Sequence, residues 1–280
     1  NRLPVLAHRV APIQIAYLGY PDTTGLAAMD YRLTDNIVDP DESADHYYTE
    51  KLIRFSSTAW VYQPPFDAPP ATRIADEKPG IVFGSFNNFA KVSDTVLQLW
   101  SQVLRAVPNS RMVIKAQGLQ DPLIRNWVLA RMKTLDVAED RLELLGRTAG
   151  VGSHLALYRK IDIALDSFPY HGTTTTCEAL WMGVPVVTLL GDRHLSRVSA
   201  SLLRAAHHPE WVAHSKEEYV RIASELAAAP ERLVQIRSNL RSDLERGPLL
   251  DHAGQANRFG SVLRDMWAAH CAAEVSLKAS

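Results

Sequence analysis

Five short apolar segments alternate with helical patterns through the middle of this 280-residue chain. The apolar segments cover residues 81–85, 112–114, 142–145, 162–165 and 184–190. Strands that alternate with helices in this way form βαβ units, which build a parallel sheet covered by helices. The pattern therefore predicts an α/β fold. It also predicts that the loops following the strands lie at the edge where such sheets bind ligands.

A proline-rich stretch divides the chain. Residues 63–80 contain five prolines and no periodicity, so we interpret them as a linker, because proline fixes φ and removes a backbone donor. The segments that we predict as strands before this linker are residues 12–19, 31–38 and 51–55. We therefore expect three parts: the remainder of an N-terminal lobe (1–65), a larger C-terminal lobe (66–250) and a C-terminal helix (251–280).

The charge balance argues against two classes of partner. Lys and Arg total 30 and Asp and Glu total 31, which gives a net charge of -1. Proteins that bind nucleic acids or membrane surfaces usually carry a clear basic excess, so we expect neither partner. No apolar run approaches the roughly 20 residues that span a bilayer. The two cysteines, Cys177 and Cys271, are expected to be reduced thiols in a cytoplasmic protein.

The first candidate ligand loop is GSFNNFAK, residues 84–91, which follows a predicted strand and precedes a predicted helix. Its amides Asn87 and Asn88 and the amine of Lys91 are donors suited to phosphate or sugar oxygens. The alternative is an Asx-type turn with a solvated lysine. Residue types alone do not separate the two interpretations.

The second candidate loop is DSFPYHGTTTTCE, residues 166–178. Gly172 allows a ligand to approach the backbone, and the threonines after it open a helix whose free N–H groups and positive dipole end suit a diphosphate. Four consecutive threonines are more than a helix cap needs, because β-branched residues are mediocre helix formers. Glu178 is expected either to bind ribose hydroxyls or to complement the helix dipole.

The third candidate loop is GDRHLSR, residues 191–197, after the last predicted strand. Arg193 and Arg197 either face a phosphate or are ordinary surface charges. His154, on a helix predicted at 154–160, is a candidate for contact with a nucleotide base. Against this, most single histidines on helices are structural or exposed.

Several well-known fingerprints are absent from the sequence. There is no G-x-G-x-x-G, no G-x-x-x-x-G-K-[ST] and no G-x-S-x-G, which argues against dinucleotide binding, P-loop ATP binding and an α/β-hydrolase. Asp39-Pro40-Asp41 formally matches the D-x-D pattern of metal-dependent glycosyltransferases, but its central proline favours a turn. No cluster of His, Cys and carboxylates has metal-ligand spacing, so we expect no metal.

Several segments, taken in order, resemble the catalytic region of O-linked N-acetylglucosamine transferases and the related SPINDLY proteins, glycosyltransferase family 41. They are residues 12–35, with QIAYLGYPDTTG and then MDYR, residues 84–91, residues 166–188, which run on through ALWMGVPVVT, and the helix around Met266 and Trp267. The resemblance covers nearly the whole chain. The ordered set of motifs is much more specific than any one of them.

This resemblance implies two Rossmann-like lobes of the GT-B type, with the N-terminal lobe incomplete in this chain. It implies an inverting transferase that moves a sugar from a nucleotide-sugar substrate to Ser or Thr of acceptor proteins, without a metal or other cofactor. The family carries further N-terminal-lobe sequence upstream, preceded by tetratricopeptide repeats. That upstream part holds a histidine proposed to assist catalysis, so no general base is assigned here. The alternative is a non-catalytic fragment that binds nucleotide sugar.

The family's functional residues carry over position by position. The catalytic candidates are Lys91, which contacts the diphosphate, and Asn88, which lies near the transferred sugar. The donor-binding candidates are His154 near the base, Glu178 at the ribose, Thr173, Thr174 and Thr175 at the helix N-terminus, and Arg197. The acceptor-side loop comprises Tyr20, Pro21, Thr23 and Thr24.

Some departures from the family pattern concern the donor. N-acetylglucosamine transferases typically have His-Thr-Thr where this chain has Thr173-Thr174-Thr175, and Asp at the position of Glu178. The form here is nearer the SPINDLY branch, some of whose members use GDP-fucose. We expect UDP-GlcNAc as the donor, with GDP-fucose as the alternative. Asp22 stands where the family usually has Gly, so the acceptor-side loop is expected to differ locally.

Overall fold

The computed structural model describes residues 2–41, 43–74 and 79–279, and it contains two parallel sheets. The first sheet has three strands, β1 (Ile15–Ala16), β2 (Tyr31–Asp35) and β3 (Lys51–Phe55), in that order. The other strands are β4 (Val82–Ser85), β5 (Arg111–Lys115), β6 (Leu142–Leu145), β7 (Ile163–Leu165), β8 (Val186–Leu189) and β9 (Val212–Ala213). The predicted α/β class is therefore confirmed.

Two strands of the first sheet are shorter than predicted. β1 pairs only at Ile15 and Ala16, because Leu18 adopts a left-handed φ of 54° and the chain leaves the extended conformation there. β2 ends at Asp35, whose Oδ1 accepts hydrogen bonds from the backbone N–H groups of Ile37 and Val38. That side-chain turn replaces the extended residues that the sequence pattern suggested.

The second sheet has the order β6-β5-β4-β7-β8-β9. The chain builds outward from β4 through β5 to β6, then returns to the other side of β4 for β7, β8 and β9. The loops that follow the adjacent strands β4 and β7 therefore lead away in opposite directions. This reversal is the position where open α/β sheets form a ligand crevice.

The α-helices pack mainly against the second sheet. Their bounds are α1 Asp94–Ala106, α2 Pro122–Thr134, α3 Val151–Ala156, α4 Thr174–Trp181, α5 Val198–Ala205, α6 Lys216–Ala227, α7 Pro230–Arg246 and α8 His252–Ala279. Short 3₁₀ helices occupy Leu3–His8, Asp45–Tyr47, Phe89–Lys91, Gln117–Gln120, Glu139–Arg141, Leu157–Lys160, His194–Ser196 and Pro209–Trp211. None of the helices in the described part of the chain has the length and apolarity required to cross a membrane.

The helix starts follow local capping signals. The hydroxyl of Ser93 accepts from the N–H of Val96 at the start of α1, and that of Ser215 accepts from Glu218 at the start of α6. A serine hydroxyl at this position satisfies a backbone N–H group of the first turn that has no partner within the helix. Helix α5 was not predicted; of its side chains only that of Arg204 is exposed.

The linker and the C-terminal helix connect the two sheets. Residues 63–74 and 79–80 contain no helix or strand, as predicted, and residues 75–78 of the predicted linker lie outside the described residues. Helix α8 returns to the first sheet. There the amide of Gln255 donates to the hydroxyl of Tyr17, and Phe259 packs against the Tyr17 ring with centroids 5.4 Å apart.

Candidate active site

The crevice at the chain reversal is flanked by two of the three predicted loops, residues 84–91 after β4 and residues 166–173 after β7. A buried carboxylate, Asp166, joins them. Its Oδ1 accepts from the Asn87 amide at 3.1 Å and from the Gly172 N–H at 2.8 Å, and its Oδ2 accepts from the Thr188 hydroxyl at 2.8 Å. Because each contact fixes a different segment, Asp166 holds both loops and β8 in one arrangement.

Gly172 lies where the second loop meets the first turn of α4. A Cβ there would lie 2.6 Å from the hydroxyl oxygens of both Thr175 and Thr176 and 2.9 Å from Oδ1 of Asn87. Thr175 donates to that same Asn87 oxygen at 2.7 Å. Only glycine fits this close approach, and the packing brings the β4 loop against the N-terminus of α4.

The N-terminus of α4 is open to a ligand. The first intrahelical bond runs from the N–H of Cys177 to the carbonyl of Thr173, so the N–H groups before it have no partner within the helix. Thr174 is exposed and Thr173 is half-buried. Backbone donors and the positive end of the helix dipole at an exposed edge form an anion-binding arrangement.

Lys91 reaches across to the second loop. Its Nζ donates to the His171 carbonyl at 2.7 Å and lies 3.9 Å from the centroid of the Tyr170 ring. Burial lowers the pKa of Lys91, and the negative charge of Asp166 partly opposes that effect. The structure therefore brings the predicted diphosphate-binding lysine and the predicted helix N-terminus to the same crevice. The solvated-lysine alternative is incorrect, because the amine is half-buried and bonded.

Asn88 lies at the outer lip of the crevice. It is exposed, and its side-chain oxygen accepts from the N–H of Ala90 and caps the 3₁₀ helix Phe89–Lys91. The Asx-type turn predicted as the alternative interpretation is thus present. It coexists with the arrangement of Lys91 in the crevice.

His154 and Glu178 are in direct contact. His154 Nε2 lies 2.8 Å from Oε2 of Glu178, and its Nδ1 lies 2.6 Å from Nζ of Lys115. The Tyr158 hydroxyl donates to the Thr175 carbonyl at 3.1 Å and is 3.4 Å from Glu178 Oε2. Two predicted donor-binding residues therefore form one network with two residues that the sequence did not single out.

The third loop, residues 191–197, contacts both the β7 loop, where the Leu195 carbonyl accepts from the N–H of His171 at 3.0 Å, and the N-terminal part of the chain. Arg193 forms an ion pair with Asp22 at 3.0 Å and lies over the Tyr47 ring. Arg197 donates from Nε to the Ile37 carbonyl at 2.8 Å and from Nη1 to the Gly191 carbonyl at 2.7 Å. Both arginines are bonded to protein groups, so neither is a free surface charge. A role of Arg197 in donor binding stays a prediction.

Two buried charged residues form hydrogen bonds with the acceptor-side loop. Glu50 accepts hydrogen bonds from the hydroxyls of Thr23 and Thr24. Burial raises the pKa of Glu50, but these hydrogen bonds outweigh it and the pKa lies below its ordinary value. Arg32 donates at 2.7 Å to the carbonyls of Tyr20 and Asp22. Pro21, between them, is half-buried.

Asp39 of the D-x-D match lies in a turn, as predicted. It is buried and bonded to protein groups, accepting from Tyr48 at 2.7 Å and from Nδ1 of His194 at 2.8 Å. Within the described ranges, no group of three or more His, Cys, Asp or Glu side chains is arranged to hold a metal ion.

Two residues of the site that the sequence did not single out occupy equivalent places in the sheet. Asp166 directly follows β7 and Lys115 is the last residue of β5, so both stand at the carboxyl end of a strand. A charged residue that ends an apolar strand of a parallel sheet is therefore a signal that would have found them. His171 gave no such signal, because its burial follows from packing against β8 and α5.

The sequence profile of Glycosyl transferase family 41 matches residues 1–63 and 72–257. The chain belongs to this family. Over 276 residues it is 38% identical to a Petunia hybrida protein named "Probable UDP-N-acetylglucosamine--peptide N-acetylglucosaminyltransferase SPINDLY", covering 98% of this chain and 30% of that protein. A corresponding Arabidopsis thaliana protein named SEC is 28% identical over 284 residues, covering 98% of the chain and 28% of that protein.

A solved structure has the same arrangement. A mutant of the Thermobaculum terrenum O-GlcNAc transferase superimposes with a TM-score of 0.89 and 38% identity, covering 96% of this chain and 51% of that one. The family 41 chain thus has the GT-B fold of its structural neighbours, as the resemblance implied. It spans less than a third of the length of the curated relatives described above.

Proposed function

We propose that the protein containing this chain is an inverting glycosyltransferase that moves a sugar from a nucleotide diphosphate donor to Ser or Thr hydroxyls of proteins. The observation that carries the proposal is the approach of Lys91 to the loop that opens α4, with its Nζ 2.7 Å from the His171 carbonyl. This chain would supply the donor site. Relatives named as peptide N-acetylglucosaminyltransferases support the acceptor class.

The proposed chemistry is charge stabilisation of the leaving group. The acceptor hydroxyl attacks the anomeric carbon and loses its proton, for which no base is assigned in this chain, while the bond from that carbon to the diphosphate breaks on the opposite face. The developing charge is met by Lys91 and by the free N–H groups at Thr174 and Thr175, which are fixed before the reaction. No metal or other cofactor is included in this proposal. Asn88, at the lip of the crevice, is assigned to the transferred sugar.

The donor proposed first is UDP-GlcNAc. The second candidate is GDP-fucose, favoured by the Gly-Thr-Thr-Thr-Thr-Cys-Glu sequence at 172–178. In both cases His154 is assigned to the base and Glu178 to the ribose. The three threonines at positions 173–175 are assigned to the diphosphate, with Arg197 as a further contact. The loop from Tyr20 to Thr24 is assigned to the acceptor side.

We also propose a cytoplasmic protein with tetratricopeptide repeats upstream of this chain. The unpaired cysteines Cys177 and Cys271 support a reducing compartment. The limited share of its relatives that the chain spans is consistent with additional domains.

The experiment that tests the donor assignment is calorimetric titration of the full-length protein with UDP and with GDP in the presence of EDTA. Tighter binding of UDP supports N-acetylglucosamine transfer, whereas tighter binding of GDP supports fucose transfer. If a folded protein binds neither nucleotide, the proposed donor site is wrong. If binding is seen only without EDTA, the metal-free proposal is wrong.

A further inference from the structure

A half-buried lysine that was not predicted as a site residue contacts a predicted donor-binding residue directly. Lys115 is the last residue of β5, His154 lies on α3 and Glu178 on α4. Lys115 Nζ lies 2.6 Å from His154 Nδ1, and His154 Nε2 lies 2.8 Å from Glu178 Oε2. Three separate elements thus contribute one continuous hydrogen-bonded chain, and the proposed chemistry gives its first member no role.

The donor properties of the ammonium group fix the protonation of the histidine. A lysine ammonium has three donors and no acceptor, so Nδ1 of His154 must accept from Lys115. The ring proton of the neutral histidine is therefore on Nε2, which donates to Glu178. The opposite tautomer would place an N–H against the ammonium group and a lone pair against the carboxylate, and both contacts would be repulsive.

The network leaves one carboxylate oxygen for a ligand. The contacts of Glu178 with His154 and Tyr158 are both made to Oε2. Within the residues that the structure describes, Oε1 accepts no hydrogen bond. Only 12% of the Glu178 side chain is exposed, so its rotamer is set by these contacts and its remaining acceptor has a fixed direction.

The charges of the network support each other. Burial lowers the pKa of Lys115, and the negative charge of Glu178 opposes that change. Phe86 and Tyr158 enclose the His154 ring, with centroids at 5.9 and 5.6 Å, and limit its rotation.

We propose that Lys115 is a positioning residue for donor recognition. Its ammonium group selects the Nε2–H tautomer of His154, and His154 in turn holds Glu178 so that Oε1 accepts from the ribose hydroxyls of the nucleotide. This inference rests on the proposed function, since it deepens the assignment of Glu178 to the ribose.

The test compares ribose with deoxyribose in the full-length protein. UDP and 2′-deoxy-UDP, or GDP and 2′-deoxy-GDP if GDP binds more tightly, are titrated into wild type, Lys115→Met, Lys115→Gln and Lys115→Arg. The matched control is Lys160→Met, since Lys160 is a partly exposed lysine that pairs with Glu143 on the neighbouring β6. Thermal melting confirms that each variant is folded.

We expect wild type and Lys160→Met to bind the ribonucleotide about tenfold more tightly than the deoxynucleotide, because one hydrogen bond to a charged group is lost. Lys115→Met and Lys115→Gln should reduce this ratio to about two by weakening ribonucleotide binding alone. Lys115→Arg should retain most of it, since a guanidinium also has only donors. A lysine with a purely structural role would weaken both nucleotides equally.

Two results overturn the inference while leaving the proposed function intact. One is a wild-type protein that binds nucleotide without distinguishing ribose from deoxyribose. The other is an unchanged ratio in both folded Lys115→Met and Lys115→Gln. A wild-type protein that binds neither UDP nor GDP overturns the proposed donor site, and the inference with it.

Discussion

His194 and Asp39, 155 residues apart in the sequence, share a buried hydrogen bond of 2.8 Å between Nδ1 and Oδ2. Nε2 of His194 lies 3.1 Å from a guanidinium nitrogen of Arg32, which can only donate. His194 therefore accepts from Arg32 and donates to Asp39. The third loop of the larger sheet is fixed in this way to β2 and the turn after it, and so the geometry between the two sheets depends on a polar contact.

We expect Asp39→Ala to lower the free energy of unfolding by about 3 kcal/mol, because it leaves buried donors on Thr34, Tyr48 and His194 without an acceptor. Urea denaturation followed by tryptophan fluorescence measures the change. Asp41→Ala is the control, since that carboxylate is 71% exposed and pairs only at the surface with Arg54. Equal stability of the two variants would show that the contact contributes nothing.

Stability should depend on pH through His171. Burial lowers the pKa of this histidine from 6.5, so the folded state keeps it neutral while the unfolded state takes up a proton. The contribution of neutral His171 to the free energy of unfolding is present in full above pH 6.5 and is lost as the pH falls below that value. We expect the urea midpoint of unfolding to decrease as the pH is lowered from 7.5 to 5.5. His171→Gln should make this dependence of the midpoint on pH less steep. His8→Gln, at an exposed position, should leave the slope unchanged.

Lys91→Ala in the full-length protein should lower kcat by two to three orders of magnitude, since one preorganised donor to a developing charge contributes roughly 3 kcal/mol. Sugar transfer to an acceptor protein, measured at saturating donor, gives the value. Lys133→Ala is the matched control, because Lys133 is exposed on α2. Near-normal turnover of Lys91→Ala would remove this lysine from the catalytic assignment.

Gly172→Ala should weaken nucleotide binding at least tenfold, because the added Cβ would lie 2.6 Å from two threonine hydroxyl oxygens and displace the first turn of α4. Titration with the nucleotide that the wild type prefers measures the loss. Gly260→Ala is the control; its Cβ meets nothing closer than 3.4 Å, and alanine favours the interior of α8. Unaltered affinity in Gly172→Ala would mean that the α4 terminus does not contact the diphosphate.

The sequence by itself determined the alternation of strands and helices through the middle of the chain and the loops that flank the crevice. These features follow from local signals, namely apolar periodicity, capping residues and turn formers, which do not depend on the rest of the chain. The motifs also determined the family. They did not fix the length of β1, where Leu18 leaves the extended conformation, or reveal α5, in which only Arg204 is exposed.

Only the tertiary structure decided which side chains meet. The pairing of β4 with β7 brings Asn87 to Asp166, and the adjacency of β5, α3 and α4 joins Lys115 to His154 and Glu178. Apolar strands of a parallel sheet carry no local record of their order, since any of them can be buried beside any other. Contacts between distant polar groups depend on that order, and therefore the crevice and the bridge between Asp39 and His194 emerge only when the sheets are assembled.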